Sequence, residues 1–197
     1  ETDHVPVLAD EVLAALDPHP GETVVDCTFG AGGHSAMLAA RLRGDGKLIA
    51  IDRDPTVEPY FERFRRSTAA KTRLLSGEFS TVLEQLAENG VKADAILMDL
   101  GVSSMQLDRP DRGFSYAVDA PLDMRMDTTS GESAAEWLAA ASQAEIERCL
   151  FEYGEERHAR RIARRICAER VQAPITTTTR LAALVAGAVP RSGERIH

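Results

Sequence analysis

The chain has 197 residues, of which 44% are hydrophobic and 27% charged, as in an ordinary soluble globular protein with a buried core. No apolar run approaches a membrane span and no segment has the layout of a signal peptide, so we expect a cytoplasmic protein. The net charge of −8 argues against nucleic-acid binding over the whole surface but not at a local basic face. Three widely spaced cysteines form neither a disulfide framework nor a metal-ligand pattern, and no metal is expected.

The first half of the chain alternates short apolar runs with helical patterns, which is typical of an α/β fold with a parallel, doubly wound sheet. Strands are predicted at Thr23–Cys27, Lys47–Ile51, Arg73–Leu75 and Ala95–Leu100, and helices at about 34–43, 55–67 and 81–89. Thr81 and Glu84 have capping-box spacing, and Asn89-Gly90 supplies a left-handed stop. A four-stranded half-sheet leaves an open edge, so we expect the natural protein to continue with further strands and this chain to self-associate through that edge.

A glycine-rich turn follows the first predicted strand, in the segment Asp26-Cys27-Thr28-Phe29-Gly30-Ala31-Gly32-Gly33-His34. Glycines let the backbone turn tightly and approach a ligand, while the start of the next helix offers unpaired amides. The order Gly30-x-Gly32-Gly33-x-Ser35 lacks the third glycine of the dinucleotide fingerprint, which favours S-adenosylmethionine over a pyrophosphate-containing cofactor. The alternative is a plain α/β turn whose glycines only cap and pack.

Two acids stand at the ends of other predicted strands. Asp52 follows Gly33 by nineteen positions, where an acid can accept hydrogen bonds from both ribose hydroxyls. Asp99 precedes Leu100-Gly101-Val102-Ser103-Ser104 and should point into the same cleft, although a helix cap is an alternative role. We expect Asp99 to orient the substrate amine or the amino end of the cofactor, with Ser103 or Ser104 nearby; these three are the candidate catalytic residues.

The second half is predicted to be helical, with helices near 134–141, 143–153, 155–171 and 179–188. Ser133 with Glu136 and Ser142 with Glu145 have capping-box spacing. One helix places Ala159, Ile162, Ala163 and Ile166 on one side and arginines on the other. From that basic side we select four candidate RNA-binding residues: Arg157, Arg161, Arg164 and Arg165. The alternative is a solvated basic face that balances nearby acids.

Two further features belong to this half. The loop Asp123-Met124-Arg125-Met126-Asp127 either closes over the cofactor or target base, or is pinned to the core by its methionines. Trp137, with Ala134 and Leu138, is expected in the core of the helical part rather than stacked on a base.

Seven blocks, in order along nearly the whole chain, resemble the MraW-type ribosomal RNA small subunit methyltransferase H family. They are His4-Val5-Pro6-Val7-Leu8, Asp26-Cys27-Thr28-Phe29-Gly30-Ala31-Gly32-Gly33-His34-Ser35, Ala50-Ile51-Asp52-Arg53-Asp54-Pro55, Asp99-Leu100-Gly101-Val102-Ser103-Ser104, Arg112-Gly113-Phe114-Ser115, Pro121-Leu122-Asp123-Met124-Arg125-Met126-Asp127 and Tyr153-Gly154-Glu155-Glu156-Arg157.

The resemblance implies a Rossmann-like class I methyltransferase that uses S-adenosylmethionine to methylate the N4 amine of a cytidine at the decoding centre of 16S ribosomal RNA. It implies that Gly30, Gly32, Gly33, His34, Asp52, Phe79, Asp99 and Gln106 form the cofactor site, with Asp52 on the ribose and Phe79 against the adenine. His34 would line the cofactor rather than act as a base, because a helix N-terminus disfavours its charged form. Family members have further strands after the helical insertion, so this chain would lack the C-terminal strands.

We therefore expect a cofactor-binding domain over residues 1–112 and a loop with a helical substrate-recognition subdomain over residues 113–197. The partner would be small-subunit ribosomal RNA or the 30S particle. Two other functions compete: a nicotinamide-dependent oxidoreductase or epimerase, disfavoured by the missing glycine and the lack of a Tyr-x-x-x-Lys pair, and a non-catalytic RNA-binding or assembly factor.

Overall fold

The computed structural model describes residues 6–189, which form two compact units. The first contains the residues up to Met105 together with Met126–Thr128, and the second contains Gln106–Arg125 and the residues from Thr129 onward. The main segment of the first unit thus ends ahead of the domain boundary predicted at residue 112. The terminal loop predicted at 191–197 and the start of the first family block lie outside the described residues.

The first unit is built on four parallel strands in the order β3-β2-β1-β4, which confirms the predicted α/β fold with a parallel sheet. Its elements are α1 (Ala9–Leu16), β1 (Thr23–Asp26), α2 (Gly33–Leu42), β2 (Lys47–Asp52), α3 (Glu58–Ser67), β3 (Lys71–Ser76), α4 (Phe79–Glu88) and β4 (Ala95–Leu97). A 3-10 turn at Pro55–Val57 precedes α3, and α5 (Ser104–Leu107) follows β4 in sequence.

Apolar layers cover both faces of this sheet because successive strand residues point to opposite sides. One layer joins Val24 and Leu48 to α2 and α3, and includes Phe29, whose ring lies 5.5 Å from that of Phe61. The other joins Val25 and Ile49 to Val82 and Leu86 of α4, and also holds Cys27. Burial raises the pKa of the Cys27 thiol to about 11, which disfavours the reactive thiolate.

The edges of the sheet differ in character. β4 was predicted to reach Leu100 but ends at Leu97, and the apolar side chains of Ile96, Met98 and Leu100 are exposed. β3, at the other edge, starts two residues earlier than predicted, with Lys71 and Arg73 exposed. Among residues 6–189 no strand of the sheet follows β4 in sequence. Self-association through an edge stays a prediction.

The boundaries of α4 differ from the predicted ones. The helix starts at Phe79 with Glu78 at its N-cap, and no side chain caps it, so the capping box predicted for Thr81 and Glu84 is wrong. Thr81 already lies within the first turn, because the chain bends into the helix directly after Gly77. The predicted stop is confirmed, since Gly90 has a φ of +72°.

The second unit is helical in its larger part, with α6 (Ala134–Ala140), α7 (Gln143–Glu152), α8 (Ala159–Arg170) and α9 (Thr178–Ala188). Both predicted capping boxes are confirmed, at Ser133 with Glu136 and at Ser142 with Glu145. Leu138, Ile146, Ile162 and Ile166 lie in its core with Trp137 packed against it, as expected. No helix in the described range is long and apolar enough to cross a membrane.

Candidate cofactor-binding site

The glycine-rich loop joins β1 to α2 and adopts left-handed backbone at Gly30 (φ +55°) and Gly32 (φ +83°). A Cβ atom on Gly32 would lie 2.7 Å from the Phe29 ring, and one on Gly33 would lie 2.7 Å from Cγ of Pro6. Core packing therefore favours glycine at position 32, and the contact with the half-buried Pro6, ahead of α1, favours it at position 33. Gly30 meets nothing closer than 3.9 Å, so only its backbone conformation favours glycine there.

The buried side chain of Asp26 fixes the conformation of this loop by hydrogen bonds. Its carboxylate is 1% exposed and accepts hydrogen bonds from the Thr28 amide (3.1 Å) and from the Ser35 hydroxyl (2.6 Å) in the first turn of α2. Burial raises the pKa of Asp26, while the bonds from Ser35 and Thr28 act to lower it. Asp26 and Ser35 lie in a block that resembles the family but are not among the residues that the sequence predicts for the site. The sequence feature that could have indicated their hydrogen bond is an acid at the end of a buried strand, followed nine residues later by a serine on the next helix.

Asp52, at the end of β2, also forms a hydrogen bond to this loop. One carboxylate oxygen accepts the Gly30 amide at 2.8 Å and the other accepts the Asp54 amide at 2.9 Å. Desolvation raises the pKa of Asp52, the two amide bonds lower it, and the neighbouring Asp54 carboxylate raises it. The acid predicted for the ribose hydroxyls therefore also sets the conformation of the glycine turn.

Asp99 and His34 lie close together. His34 Nδ1 is 3.8 Å from Asp99 Oδ2, and His34 Nε2–H donates to the Val7 carbonyl at 3.0 Å. The Asp99 amide donates to the Thr28 hydroxyl at 2.8 Å, while the side chain of Asp99 is 56% exposed. This leaves the Asp99 carboxylate accessible to a ligand, and the histidine is held by the segment before α1.

Three other predicted residues of the first unit lie around this end of the sheet. Phe79 is the first residue of α4, and just before it the Gly77 amide donates to the Asp52 carbonyl at 2.9 Å. Ser103 lies beside the loop, since a Cβ on Gly30 would be 3.9 Å from its Cβ, and Ser104 starts α5. Gln106 belongs to the second unit, where it is 5% exposed. The roles of all these residues stay predictions.

Charge distinguishes between the two kinds of cofactor considered. The carboxylates of Asp52 and Asp99 lie beside the loop, and the cation Arg53 is paired with Glu78 at 3.2 Å. An anionic pyrophosphate would be repelled here, whereas a cationic ligand with ribose hydroxyls is matched by carboxylate acceptors.

The candidate RNA-binding arginines lie on α8 and just before it, in the second unit. Ala159, Ile162, Ala163 and Ile166 are buried as predicted, and the arginines are exposed. Arg165 pairs with Glu169 at 2.7 Å, and Glu169 also pairs with Arg180. Arg170, at the end of the same helix, instead donates to the carbonyls of Leu138 and Ala141 at the end of α6. It therefore caps a helix.

The model of the MraW methylase family matches residues 1–197 of this chain. The chain belongs to the MraW methylase family. Curated relatives named "Ribosomal RNA small subunit methyltransferase H" agree with this. The protein of Trichlorobacter lovleyi is 49% identical over 100% of this chain and 64% of its own length. The protein of Thioalkalivibrio sulfidiphilus is 50% identical over 98% of this chain and 62% of its own length. The protein of Chromobacterium violaceum is 49% identical over 92% of this chain and 57% of its own length.

This MraW-family chain thus spans about three fifths of the length of the curated relatives it matches. Among solved structures, the C-terminal domain of a precorrin-6Y C5,15-methyltransferase from Rhodobacter capsulatus matches over 55% of this chain with 20% identity and a TM-score of 0.42.

Proposed function

We propose that the protein uses S-adenosylmethionine to methylate the N4 amine of a cytidine in 16S ribosomal RNA at the decoding centre. The observation on which this rests is the glycine turn held by the Asp52 carboxylate at Gly30, with a second exposed carboxylate, Asp99, beside His34. Membership of the MraW methylase family and the names of the relatives support the coarser part of this proposal, methylation of small-subunit ribosomal RNA.

The residues of the site fit this cofactor. Asp52 has lone pairs beyond those used by the Gly30 and Asp54 amides, so it can accept the ribose hydroxyls. Phe79 offers a ring for the adenine, and the amides after Gly32 stand at the start of α2. When bound, the sulfonium of S-adenosylmethionine supplies an electrophilic methyl group.

The chain itself contributes mainly alignment. The N4 lone pair of cytosine is delocalised into the ring, and a carboxylate that accepts an N4 hydrogen helps to localise it. Asp99 can accept that bond because its side chain is exposed while its backbone is fixed by Thr28. Ser103, beside Gly30, is placed to donate or accept a bond near the same point. His34 lines the site and stays bonded to Val7.

The target base must leave its stack to reach such a site, and unpaired RNA is read by stacking and edge hydrogen bonds. We propose that Arg157, Arg161 and Arg164 contact the phosphates of that RNA, with Arg165 contributing less because its charge is shared with Glu169. The partner is the small-subunit RNA or the 30S particle, and the protein acts in the cytoplasm.

The test is transfer of labelled methyl groups from S-adenosylmethionine to undermethylated 30S subunits by the full-length protein, followed by nucleoside analysis. We expect the label in N4-methylcytidine, and a large loss of turnover in Asp99→Asn. Asp45→Asn, an exposed acid at the other end of the sheet, is the matched control. If Asp99→Asn leaves both cofactor affinity and turnover unchanged, the proposed role of Asp99 is wrong. RNA binding without methyl transfer would indicate an assembly factor instead.

A further inference from the structure

A group of cations lies at the end of the sheet opposite the glycine loop. Lys47 is the first residue of β2 and Lys71 the first of β3, and the two are directly paired in register. Arg73 is paired in the same way with Ile49. Because side chains alternate along a strand, Lys47, Lys71 and Arg73 share the sheet face on which Ile49 packs against α4.

Lys92, which follows α4, completes the group around a cavity of about 440 Å³. We call Lys47, Lys71, Arg73 and Lys92 the basic cleft. All four are exposed, and the hydroxyl residues Thr23 and Thr72 also line the cavity. No residue that lines it is acidic. The nearby carboxylate of Asp94 accepts the Thr23 amide at 2.8 Å.

The four cations repel one another, and a bound anion would relieve that repulsion. Lys47 and Lys71 stand side by side on parallel strands, and because both are exposed, water weakens their repulsion. Within residues 6–189, none of the four cations forms an ion pair with a carboxylate.

We propose that the basic cleft binds the phosphodiester backbone of the RNA substrate, at a site separate from the one that holds the target base. The inference rests on the proposed function for the identity of the RNA. Cations two residues apart on one strand are about 7 Å apart, and neighbouring strands about 5 Å, so the cleft presents a row of charges rather than a single point. A row of cations suits a chain of phosphates.

The cleft cannot touch the reacting atoms. Lys47 and Asp52 are the two ends of β2, so the cleft lies about 17 Å from the cofactor end of the sheet. Its effect must therefore be on the affinity and placement of RNA, with little effect on the methyl-transfer step. Because of this separation, loss of the cleft should change KM for the RNA substrate but not kcat.

The test compares two double variants of the full-length protein that each remove two positive charges. The cleft variant is Lys71→Gln with Lys92→Gln. The control variant is Arg41→Gln with Arg66→Gln, two exposed arginines on α2 and α3 that form no ion pair in the described range. Both are assayed for binding to 16S RNA without cofactor over a range of salt concentrations, and for methylation of undermethylated 30S subunits.

We expect the cleft variant to bind RNA several-fold more weakly, and its slope of log affinity against log salt to be shallower by about 1.5. KM for the subunit should rise while kcat and the affinity for S-adenosylmethionine are retained. The thermal midpoint without RNA should be equal or higher, because the repulsion between Lys47 and Lys71 is removed.

A cleft variant with the salt slope and KM of the control variant would overturn the proposal. So would a fall in kcat with an unchanged affinity for RNA, since that pattern reports a structural disturbance. The binding arm contains no cofactor, so it still decides the role of the cleft if the wild-type protein transfers no methyl group. A wild-type protein that binds RNA but transfers no methyl group would contradict the proposed function and would leave the role of the cleft unaffected.

Discussion

The Asp52 carboxylate and the Gly30 amide are joined by a 2.8 Å hydrogen bond across 22 residues of sequence. The bond ties the end of β2 to the turn that follows β1, so the acid that we propose for the ribose hydroxyls also fixes the shape of the glycine loop. A change at Asp52 should therefore alter both the cofactor contact and the loop that surrounds the cofactor.

Replacing Gly32 by alanine should destabilise the protein and impair cofactor binding. The variant places a Cβ 2.7 Å from the Phe29 ring at a φ of +83°, which adds about 1–3 kcal/mol of overpacking to the backbone strain. Gly131→Ala is the matched control, since Gly131 has a φ of +74° and open space around it. Urea unfolding should show Gly32→Ala to be the more destabilised, and equal losses in the two variants would contradict the packing argument.

Asp26 should make stability depend on pH in a defined direction. Burial raises its pKa above the ordinary 3.8, so the folded protein binds this proton more tightly than the unfolded chain. Its contribution to the free energy of unfolding is full below pH 3.8 and is lost as the pH rises through the folded-state pKa. Asp26→Asn lacks the titrating group.

The difference in the free energy of unfolding between wild type and Asp26→Asn should therefore fall as the pH rises from about 4 towards 7. Urea unfolding of both proteins over this range measures it, and effects of the other acids cancel in the difference. A difference that increases with pH would show that the bonds from Ser35 and Thr28 outweigh burial.

Ser142→Ala should lower the free energy of unfolding by about 1 kcal/mol, because the Ser142 side chain caps α7 in a complete capping box. Thr81→Ala should change it by less than about 0.5 kcal/mol, since Thr81 is exposed inside α4 and caps nothing. Chemical denaturation of the two variants compares them directly. If Thr81→Ala lowers the free energy of unfolding as much as Ser142→Ala does, Thr81 acts as a helix cap and the structure of this helix start is contradicted.

Arg164→Gln should weaken RNA binding more than Arg165→Gln, although both remove one exposed cation from α8. Arg165 already pairs with Glu169, whereas Arg164 forms no ion pair in the described range. Salt titrations of RNA affinity should give a shallower slope for Arg164→Gln, by about 0.7–0.9 for one phosphate contact. Slopes equal to that of the wild type in both variants would remove α8 from the RNA interface.

The sequence predicts the sheet well because its strands are short, apolar and bounded by turns. It does not reveal α1, whose stretch Ala9–Leu16 contains no fully buried residue, nor that β4 stops at Leu97. Met98 and Leu100 extend the apolar pattern although they are exposed, so periodicity alone extends the strand too far. Spacing also suggests a cap at Thr81, but where a helix starts depends on how the chain leaves β3.

The candidate site shows a similar division. Gly30, Asp52 and Asp99 could be selected from their positions after strands, and the structure brings Gly30 to Asp52 and His34 to Asp99. The hydrogen bonds of Asp26 to Ser35 and of Arg170 to α6 depend on tertiary packing, so sequence spacing alone does not establish them. The basic cleft was equally hidden, because Lys47 and Lys71 become neighbours only through strand register.

Calorimetric titration of the full-length protein with S-adenosylmethionine and, separately, with NAD tests which cofactor the glycine loop binds. We expect saturable binding of S-adenosylmethionine, no binding of NAD, and an affinity for S-adenosylmethionine about 10–100-fold lower in Asp52→Asn, which loses a charged acceptor. Asp45→Asn should bind like the wild type. Tight binding of NAD, or full affinity for S-adenosylmethionine in Asp52→Asn, would contradict this expectation.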